Sequence, residues 1–294
     1  MLPDRVDRIV DENKRPAGSA VYADLHIHSI FSDGSLTPFE ILSHCKKVDL
    51  KAMAIADHDT VSGIESLMKC SHDGVEVIPA VEMSSNIGSL DIHILGYCVD
   101  HENGQLLEYL DGFKKHRTLR VKKILKNLSR DGVVVEFEQV KAMAQKGALG
   151  RPHIATVLVE NGYVRSISEA FTRYLGYHSP YYVPKKNVQP REVIKRIKEC
   201  KGIPVVAHAG TLGNSQVIYQ LIMDGIMGIE VWHPEHTLRW QQMLSEIALK
   251  NGLIMTGGSD CHGRRFGSIQ IGKIGCGKQE IAVLKDCWHN MCDR

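Results

Sequence analysis

The sequence has no run of eighteen apolar residues and no CxxC pair, and each absence excludes a class of protein. Without such a run, no segment is expected to span a membrane. The eight cysteines are scattered and the first twenty residues are charged, so we expect reduced thiols, no secretory signal and a cytoplasmic location. A net charge of +2 and an aromatic content of 6% do not predict a nucleic-acid-binding surface for the chain as a whole.

The order of predicted elements indicates an α/β fold. The chain has 294 residues, long for an ordinary domain but normal for one α/β barrel. Thr37, Pro38 and Glu40 predict a capped helix start. Further helices are predicted over 64–70, 190–200, 216–223 and 236–250. Strands are predicted over 21–29, 51–56, 75–81, 91–99, 203–207, 227–231 and 253–256. About seven strands in alternation with helices predict an irregular barrel.

A basic helical segment interrupts this alternation. Residues 101–178 show mostly helical periodicity and carry thirteen Lys/Arg and eight Asp/Glu, a net charge of +5. The predicted organisation is therefore a polar arm over 1–20, a discontinuous barrel over 21–100 and 179–294, and a basic helical insertion over 101–178.

Nine side chains of metal-ligand type occur mostly at or just past predicted strand ends, where an α/β barrel builds its active site. Alternation along a strand places His26 and His28 on one face, and likewise Asp260 and His262. Imidazole and carboxylate ligands together suit manganese, iron or zinc. We therefore expect two or three divalent ions, with Mn²⁺ as the expected metal, and a hydrolytic reaction. The nine are His26, His28, Asp33, His58, Glu82, His93, His208, Asp260 and His262.

Each cluster also has a simpler interpretation. The segment 57–59 (Asp-His-Asp) is compatible with a solvated turn, and Asp260 and His262 with a polar Gly-rich turn. Glu82 could be a cap, and His93 a hydrogen-bonded core residue. The metal-site hypothesis is preferred because all of these interpretations would have to hold together.

Other residues are candidates for contacts with substrate. Arg151 and His153 begin a helical run and are compatible with a solvated helix N-terminus or with phosphate binding. His233 is a candidate substrate contact and general acid, and His236 is a weaker candidate. Possible phosphate clamps are Lys185, Lys186, Arg264 and Arg265.

The ordered set of nine residues, with Gly34 and the segment 57–59, resembles the PHP (polymerase and histidinol phosphatase) family over about residues 22–267. Within that family, residues 150–153 (Gly-Arg-Pro-His), 182–184 (Tyr-Val-Pro) and 231–234 (Val-Trp-His-Pro) resemble the group of 3′,5′-nucleoside bisphosphate phosphatases that also act as 5′→3′ exoribonucleases, the RNase AM type.

The resemblance implies a distorted (β/α)7 TIM-like barrel with a trinuclear metal centre. By position, one ion would be held by His26, His28, Glu82 and Asp260. A second would be held by Asp33, His58 and His208, and a third by Glu82, His93 and His262. Cys261 stands where the family has an aromatic residue; its side chain is expected to point away from the ligands, which leaves local packing and oxidation sensitivity open.

These observations predict a metal-dependent phosphoesterase in which an ion-bound hydroxide attacks phosphorus, because no Ser or Cys triad is evident. The expected substrates are a nucleoside bisphosphate or a short 5′-phosphorylated RNA guided by the basic insertion. No obligate protein partner is evident. The alternatives are a small-metabolite phosphatase such as histidinol phosphatase, or a non-catalytic metal-stabilised nucleic-acid-binding module. A metal-dependent amidohydrolase is disfavoured, since no strand-end Lys is available for carbamylation.

Overall fold

A computed structural model of the chain describes residues 21–68, 74–144, 147–265 and 267–292. The predicted arm over 1–20 and the end of the helix predicted over 64–70 therefore lie outside the described residues. The strands are β1 Ala23–Ile27, β2 Ala52–Ile55, β3 Glu76–Val77, β4 Ala80–Ile87, β5 Leu90–Tyr97, β6 Ile203–Val206, β7 Gly228–Trp232 and β8 Ile254–Gly257.

The strands form two sheets. One is parallel with the order β1-β2-β3, and the other has the order β4-β5-β6-β7-β8, in which β5 is antiparallel to both neighbours. Single bridges join the two sheets, His58 to Glu82 and Ile27 to Cys261. A closed (β/α)7 barrel is therefore not confirmed, since no continuous ladder closes the ring in the described ranges.

The prediction of one continuous strand over 75–81 was wrong. The structure has two strands there, β3 and β4, separated by Ile78 and Pro79. Proline has no N–H to donate to a ladder, which favours the break. Consequently Glu82 lies inside β4 and not at a strand end.

The helices are α1 Pro38–Lys47, α2 Ile64–Met68, α3 Gly104–Ser129, α4 Phe137–Ala144, α5 Arg151–Glu160, α6 Ile167–Ala170, α7 Pro190–Glu199, α8 Ser215–Met223, α9 Leu238–Lys250 and α10 Lys278–Cys292. The capping box of α1 is confirmed: Glu40 N donates to Thr37 Oγ1 at 3.2 Å and Thr37 N donates to Glu40 Oε2 at 2.7 Å. None of the described helices combines the length and apolar character needed to cross a bilayer.

The long helix α3 packs on two hydrophobic clusters. Its first half places Leu106, Leu110 and Phe113 against the core beneath β4 to β7. Its second half packs in a separate cluster with α4, α5 and α6. Because α3 spans both clusters, side chains from its middle are positioned between the sheets and the helical segment.

Candidate metal centre

Glu82 lies at the centre of the site. Its carboxylate, 1% exposed, lies within 3.5 Å of ring nitrogens from five histidines. The distances are 3.5 Å to His26, 3.3 Å to His28, 2.7 Å to His58, 2.9 Å to His93 and 3.2 Å to His208. One carboxylate cannot satisfy so many rings by hydrogen bonding alone, so the carboxylate oxygens and ring nitrogens fit divalent cations as ligands.

The unpaired atoms of the site fit metal ions. Asp33 Oδ1, Glu82 Oε2 and Asp260 Oδ1 are buried and accept no hydrogen bond from the described residues. Nε2 of His28 faces Nε2 of His26 at 3.2 Å and Asp260 Oδ1 at 3.0 Å. Buried acceptors without donors are costly, and facing ring nitrogens need a proton or a cation between them. The donor set of imidazole and carboxylate therefore fits divalent cations.

Three groups of side chains offer ligand atoms within 4.8 Å of one another. They are His28, Asp33, His58 and His262; His26, His28 and Glu82; and His58, Glu82 and His93. Asp260 lies beside the first two groups and His208 beside Glu82, so the structure brings all nine predicted residues together.

The grouping differs from the one implied by the resemblance. His262 lies with Asp33, at 3.4 Å from Nε2 to Oδ1, and not with His93. His208 lies with Glu82 and His93 and not with Asp33; the rings of His208 and His93 are 5.2 Å apart. The physical reason is strand order, because the bridge from Ile27 to Cys261 places the β8 end beside β1, whereas β6 pairs with β5.

The electrostatics of the site keep its carboxylates ionised. Burial by itself would raise the pKa of Glu82, but the surrounding imidazoles, His58 and His93 foremost, hold it well below the ordinary value. The pKa of Asp33 is lowered in the same way by His58 and His262 against the effect of burial. Burial lowers the pKa of His28 to about 4, assisted by the nearby His262. Ionised carboxylates beside neutral His28 are ligands ready for a cation.

Glu230, in the middle of β7, is a site residue that the sequence analysis missed. It is 0% exposed, and its Oε1 accepts from Nδ1 of His26 at 2.9 Å. Its Oε2 accepts the backbone N–H of His208 at 2.6 Å. A carboxylate on the far nitrogen of a ligating histidine fixes which nitrogen faces the metal. The available signal was a charged residue inside an apolar strand, which requires a partner.

Buried carboxylates also hold the loops of the site. Asp57 accepts from Ser29 N at 2.7 Å and from Ser32 Oγ at 2.5 Å, which fixes the turn leading to Asp33. Asp59 accepts from Ser84 N at 2.7 Å and from Arg117 Nε at 2.7 Å. Arg117 comes from α3 and was not anticipated, because its proximity depends on tertiary packing.

Two of the expected ligands stand on strained backbone. His208 has φ 30° and Asp260 has φ 49°, both in the left-handed region. Asp260 and His262 follow the end of β8, so strand alternation does not explain their shared direction. Instead Nδ1 of His262 donates to the Asp260 carbonyl oxygen at 2.8 Å, which turns Nε2 toward Asp33. Strain at such positions is common where function requires a side-chain direction.

His233 faces the site and His236 does not. His233 Nδ1 accepts from Glu235 N at 3.1 Å, which leaves the proton on Nε2, 3.3 Å from Asp260 Oδ2. Both ring nitrogens of His236 have backbone hydrogen bonds, since Nδ1 donates to the Val231 carbonyl oxygen and Nε2 accepts from Gly210 N.

The candidate substrate residues occupy different positions. Lys185 Nζ lies 3.1 Å from His93 Nε2 and 3.0 Å from Asp91 Oδ2, directly beside the metal groups. Arg151 lies among aromatic rings and donates to the Leu175 carbonyl oxygen at 2.9 Å. Buried His153 accepts from Gly150 N at 3.1 Å, and burial lowers its pKa to about 4.

The remaining residues singled out in the sequence contact other parts of the fold. Arg264 is exposed, and its backbone N donates to Ser35 Oγ. Arg265 donates to Thr156 Oγ1 at 2.9 Å, which ties the loop after β8 to α5. Lys186 Nζ lies 5.7 Å from the centre of the Phe113 ring. Cys261 is 3% exposed and packs in a cluster with Ile27, so its side chain points away from the ligands.

Comparisons with known proteins agree with this geometry. The model of the PHP domain family matches residues 24–203. A protein of Haemophilus influenzae named 5′-3′ exoribonuclease is 32% identical over 256 residues, which cover 85% of this chain and 93% of that one. A 3′,5′-nucleoside bisphosphate phosphatase of Chromobacterium violaceum is 28% identical over 256 residues, which cover 85% of this chain and 90% of that protein.

A solved structure shows the same fold over nearly the whole chain. It comes from Bifidobacterium adolescentis and its assignment as a metal-dependent phosphoesterase is a prediction. It superposes with a TM-score of 0.83 at 29% identity and covers 90% of this chain and 96% of that one. The family match, the H. influenzae relative and the shared fold together establish that the chain belongs to the PHP domain family.

Proposed function

We propose that this PHP-family phosphoesterase hydrolyses phosphate esters of nucleotides. The substrates would be 3′,5′-nucleoside bisphosphates such as adenosine 3′,5′-bisphosphate, and short 5′-phosphorylated RNA cleaved in the 5′→3′ direction. The observation that carries the proposal is the carboxylate of Glu82 within 3.5 Å of five imidazoles, together with buried carboxylate oxygens that accept no hydrogen bond from the described residues. The names of the H. influenzae and C. violaceum relatives support the substrate class.

The three groups around Glu82 would hold two or three divalent ions, with Mn²⁺ the proposed native metal. Glu82 would bind more than one of these ions. His26 and His28 would bind one ion, and Asp33 and His262 would bind another. Divalent ions bound there supply Lewis acidity for the phosphate oxygens and a low-pKa water as nucleophile.

The side chains around these groups would bind and orient the substrate. Lys185 Nζ lies beside His93 and would bind an oxygen of the scissile phosphate. Arg151 would bind a further phosphate with its planar fork. His233 holds a proton on Nε2 next to Asp260, where a leaving oxygen can receive it. His153 and Arg264 are proposed to contact the substrate at the edge of the site.

The wider organisation is also proposed. Residues 101–178 would form a basic insertion that attracts the polyanionic substrate, an effect that salt should weaken. The two sheets would close into a distorted barrel through the bridges at His58–Glu82 and Ile27–Cys261. The cysteines among the described residues form no disulfide, which supports a cytoplasmic location.

The proposal is tested by hydrolysis assays on metal-stripped protein reloaded with Mn²⁺, Fe²⁺ or Zn²⁺. Adenosine 3′,5′-bisphosphate, a short 5′-phosphorylated RNA and histidinol phosphate are the three substrates. We expect metal-dependent release of phosphate or mononucleotide, abolished by Asp33→Ala and retained by Asp286→Ala, an exposed aspartate on α10. Turnover of histidinol phosphate alone would indicate a small-metabolite phosphatase, and no turnover with any metal would indicate a non-catalytic module.

A further inference from the structure

Arg120, on α3, has a buried donor without an acceptor. Its Nε donates to the carbonyl oxygen of Val183 at 2.7 Å, and its guanidinium carbon lies 5.6 Å from the centre of the Tyr182 ring. Its Nη2 is buried and has no hydrogen-bond partner in the part of the chain that the structure describes. An unpaired guanidinium N–H in a buried position is costly, so it indicates an acceptor that arrives with a ligand.

A second guanidinium shares the same aromatic ring. Arg151 lies 5.7 Å from the Tyr182 ring and 5.0 Å from the Tyr177 ring. No carboxylate pairs with Arg120 or Arg151 among the ion pairs of the described ranges, whereas Arg117, one turn before Arg120, is neutralised by Asp59. Burial, and then the positive charge of Arg151, lower the pKa of Arg120 to about 10. An anion held by both groups would relieve that repulsion.

A short series of contacts connects this pair to the metal centre. The Tyr177 hydroxyl donates to Asp91, and Asp91 Oδ2 lies 3.0 Å from Lys185 Nζ. Lys185 in turn lies 3.1 Å from Nε2 of His93, one of the expected ligands. Contacts through Tyr177, Asp91 and Lys185 thus connect the two guanidinium groups to the metal groups.

We propose that Arg120 and Arg151 form a subsite for the phosphate group of the nucleotide that is not hydrolysed, and that Arg120 is a specificity-determining residue. The inference rests on the proposed function and adds the reason why a bisphosphate would be preferred over a monophosphate. Two guanidinium forks match the oxygen geometry of a phosphate dianion and bind it by charge-assisted hydrogen bonds. The rings of Tyr177 and Tyr182, with centroids 5.1 Å apart, keep the Arg151 fork in place.

The test compares substrates that differ by one phosphate. Steady-state kinetics with adenosine 3′,5′-bisphosphate, 3′-AMP and 5′-AMP are measured at saturating metal and fixed ionic strength. The variants are Arg120→Gln, Arg120→Lys and the control Lys123→Gln, which removes one exposed charge from the same helix. Thermal melting and metal content are recorded for each variant.

We expect Arg120→Gln to raise KM for the bisphosphate by about 10- to 100-fold, with kcat and the monophosphate kinetics nearly unchanged. Arg120→Lys should restore part of the loss, because it keeps the charge and loses the fork. Lys123→Gln should affect all three substrates equally and weakly.

Three results would overturn the inference. If Arg120→Gln slows all three substrates equally, or lowers the melting temperature and metal content together with activity, Arg120 is a structural residue. If the bisphosphate preference is unchanged in Arg120→Gln, there is no such subsite, although the proposed function stands. Absence of hydrolysis of every nucleotide by the wild-type, metal-loaded protein would overturn the proposed function and this inference with it.

Discussion

Glu230 binds the ring of His26 through a 2.9 Å contact from Oε1 to Nδ1, and both side chains are fully buried. The second oxygen of Glu230 holds the backbone N–H of His208. One carboxylate therefore orients a ring on β1 and the turn after β6. We expect Glu230→Gln to weaken Mn²⁺ binding by about 10- to 100-fold, because the ring of His26 loses its charged acceptor. Calorimetric titration of metal-stripped protein measures this.

The matched control is Glu235→Gln, which changes an exposed glutamate in the loop after β7. It should bind Mn²⁺ with wild-type affinity. Equal affinities for Glu230→Gln and the wild type would mean that Glu230 contributes only to packing.

Metal ions are expected to stabilise the folded protein. Asp33, Glu82 and Asp260 each have a buried oxygen that accepts no hydrogen bond from the described residues, and a bound cation would satisfy these oxygens. A ligand at a hundred times its Kd stabilises by about 2.7 kcal/mol, so Mn²⁺ should raise the Tm of stripped protein clearly. Glu82→Gln should remove most of that rise in a melting experiment, because its carboxylate contacts every group.

Glu160→Gln, which alters an exposed residue at the end of α5, is the control for that experiment. Its metal-induced rise in Tm should match the wild type. A full rise in Glu82→Gln would contradict the central position assigned to that carboxylate.

Local sequence patterns predicted the elements of the site better than its assembly. The capping box of α1 depends only on neighbouring residues, and the shared face of His26 and His28 depends only on strand alternation. The direction of β5 was not predictable in this way, because alternation is the same in parallel and antiparallel strands. The prediction that places His93 on a strand is compatible with either direction.

Residues that act through tertiary contacts were missed or placed in the wrong group. Glu230 had a local signal, a charge inside an apolar strand, that was not used. Arg117 and Arg120 had none, since their role depends on where α3 packs. His208 lies beside Glu82 and His262 beside Asp33, unlike the grouping that the resemblance implies, because strand order in the sheets and not order along the chain decides their neighbours.

The ion pair of Arg117 and Asp59 is expected to couple α3 to the sheet. Asp59 is 0% exposed at its side chain and lies 2.5 Å from Arg117 Nη2. Arg117→Met would leave that carboxylate buried without its cation, which typically costs about 3–5 kcal/mol. Urea denaturation should show the loss, and Lys126→Met, at an exposed position on the same helix, should leave stability nearly unchanged.

The double variant Asp59→Asn with Arg117→Met separates charge from packing. It removes both charges, so it should recover a large part of the stability that the single variant loses. Equal losses in the single and double variants would show that the Arg117 side chain matters for its packing and not for its charge.

Cys261 is expected to resist oxidation and alkylation although it lies between two expected metal ligands. The thiol is 3% exposed, its Sγ accepts from Gly263 N at 3.4 Å and Gln270 N at 3.3 Å, and burial raises its pKa. Since the thiolate is the reactive form, both access and ionisation are unfavourable. In a timed iodoacetamide reaction followed by peptide mass spectrometry, exposed Cys292 should be labelled well before Cys261. Early labelling of Cys261 in the folded protein would mean that the loop after β8 opens readily, and the rigid placement of Asp260 and His262 would then have to be abandoned.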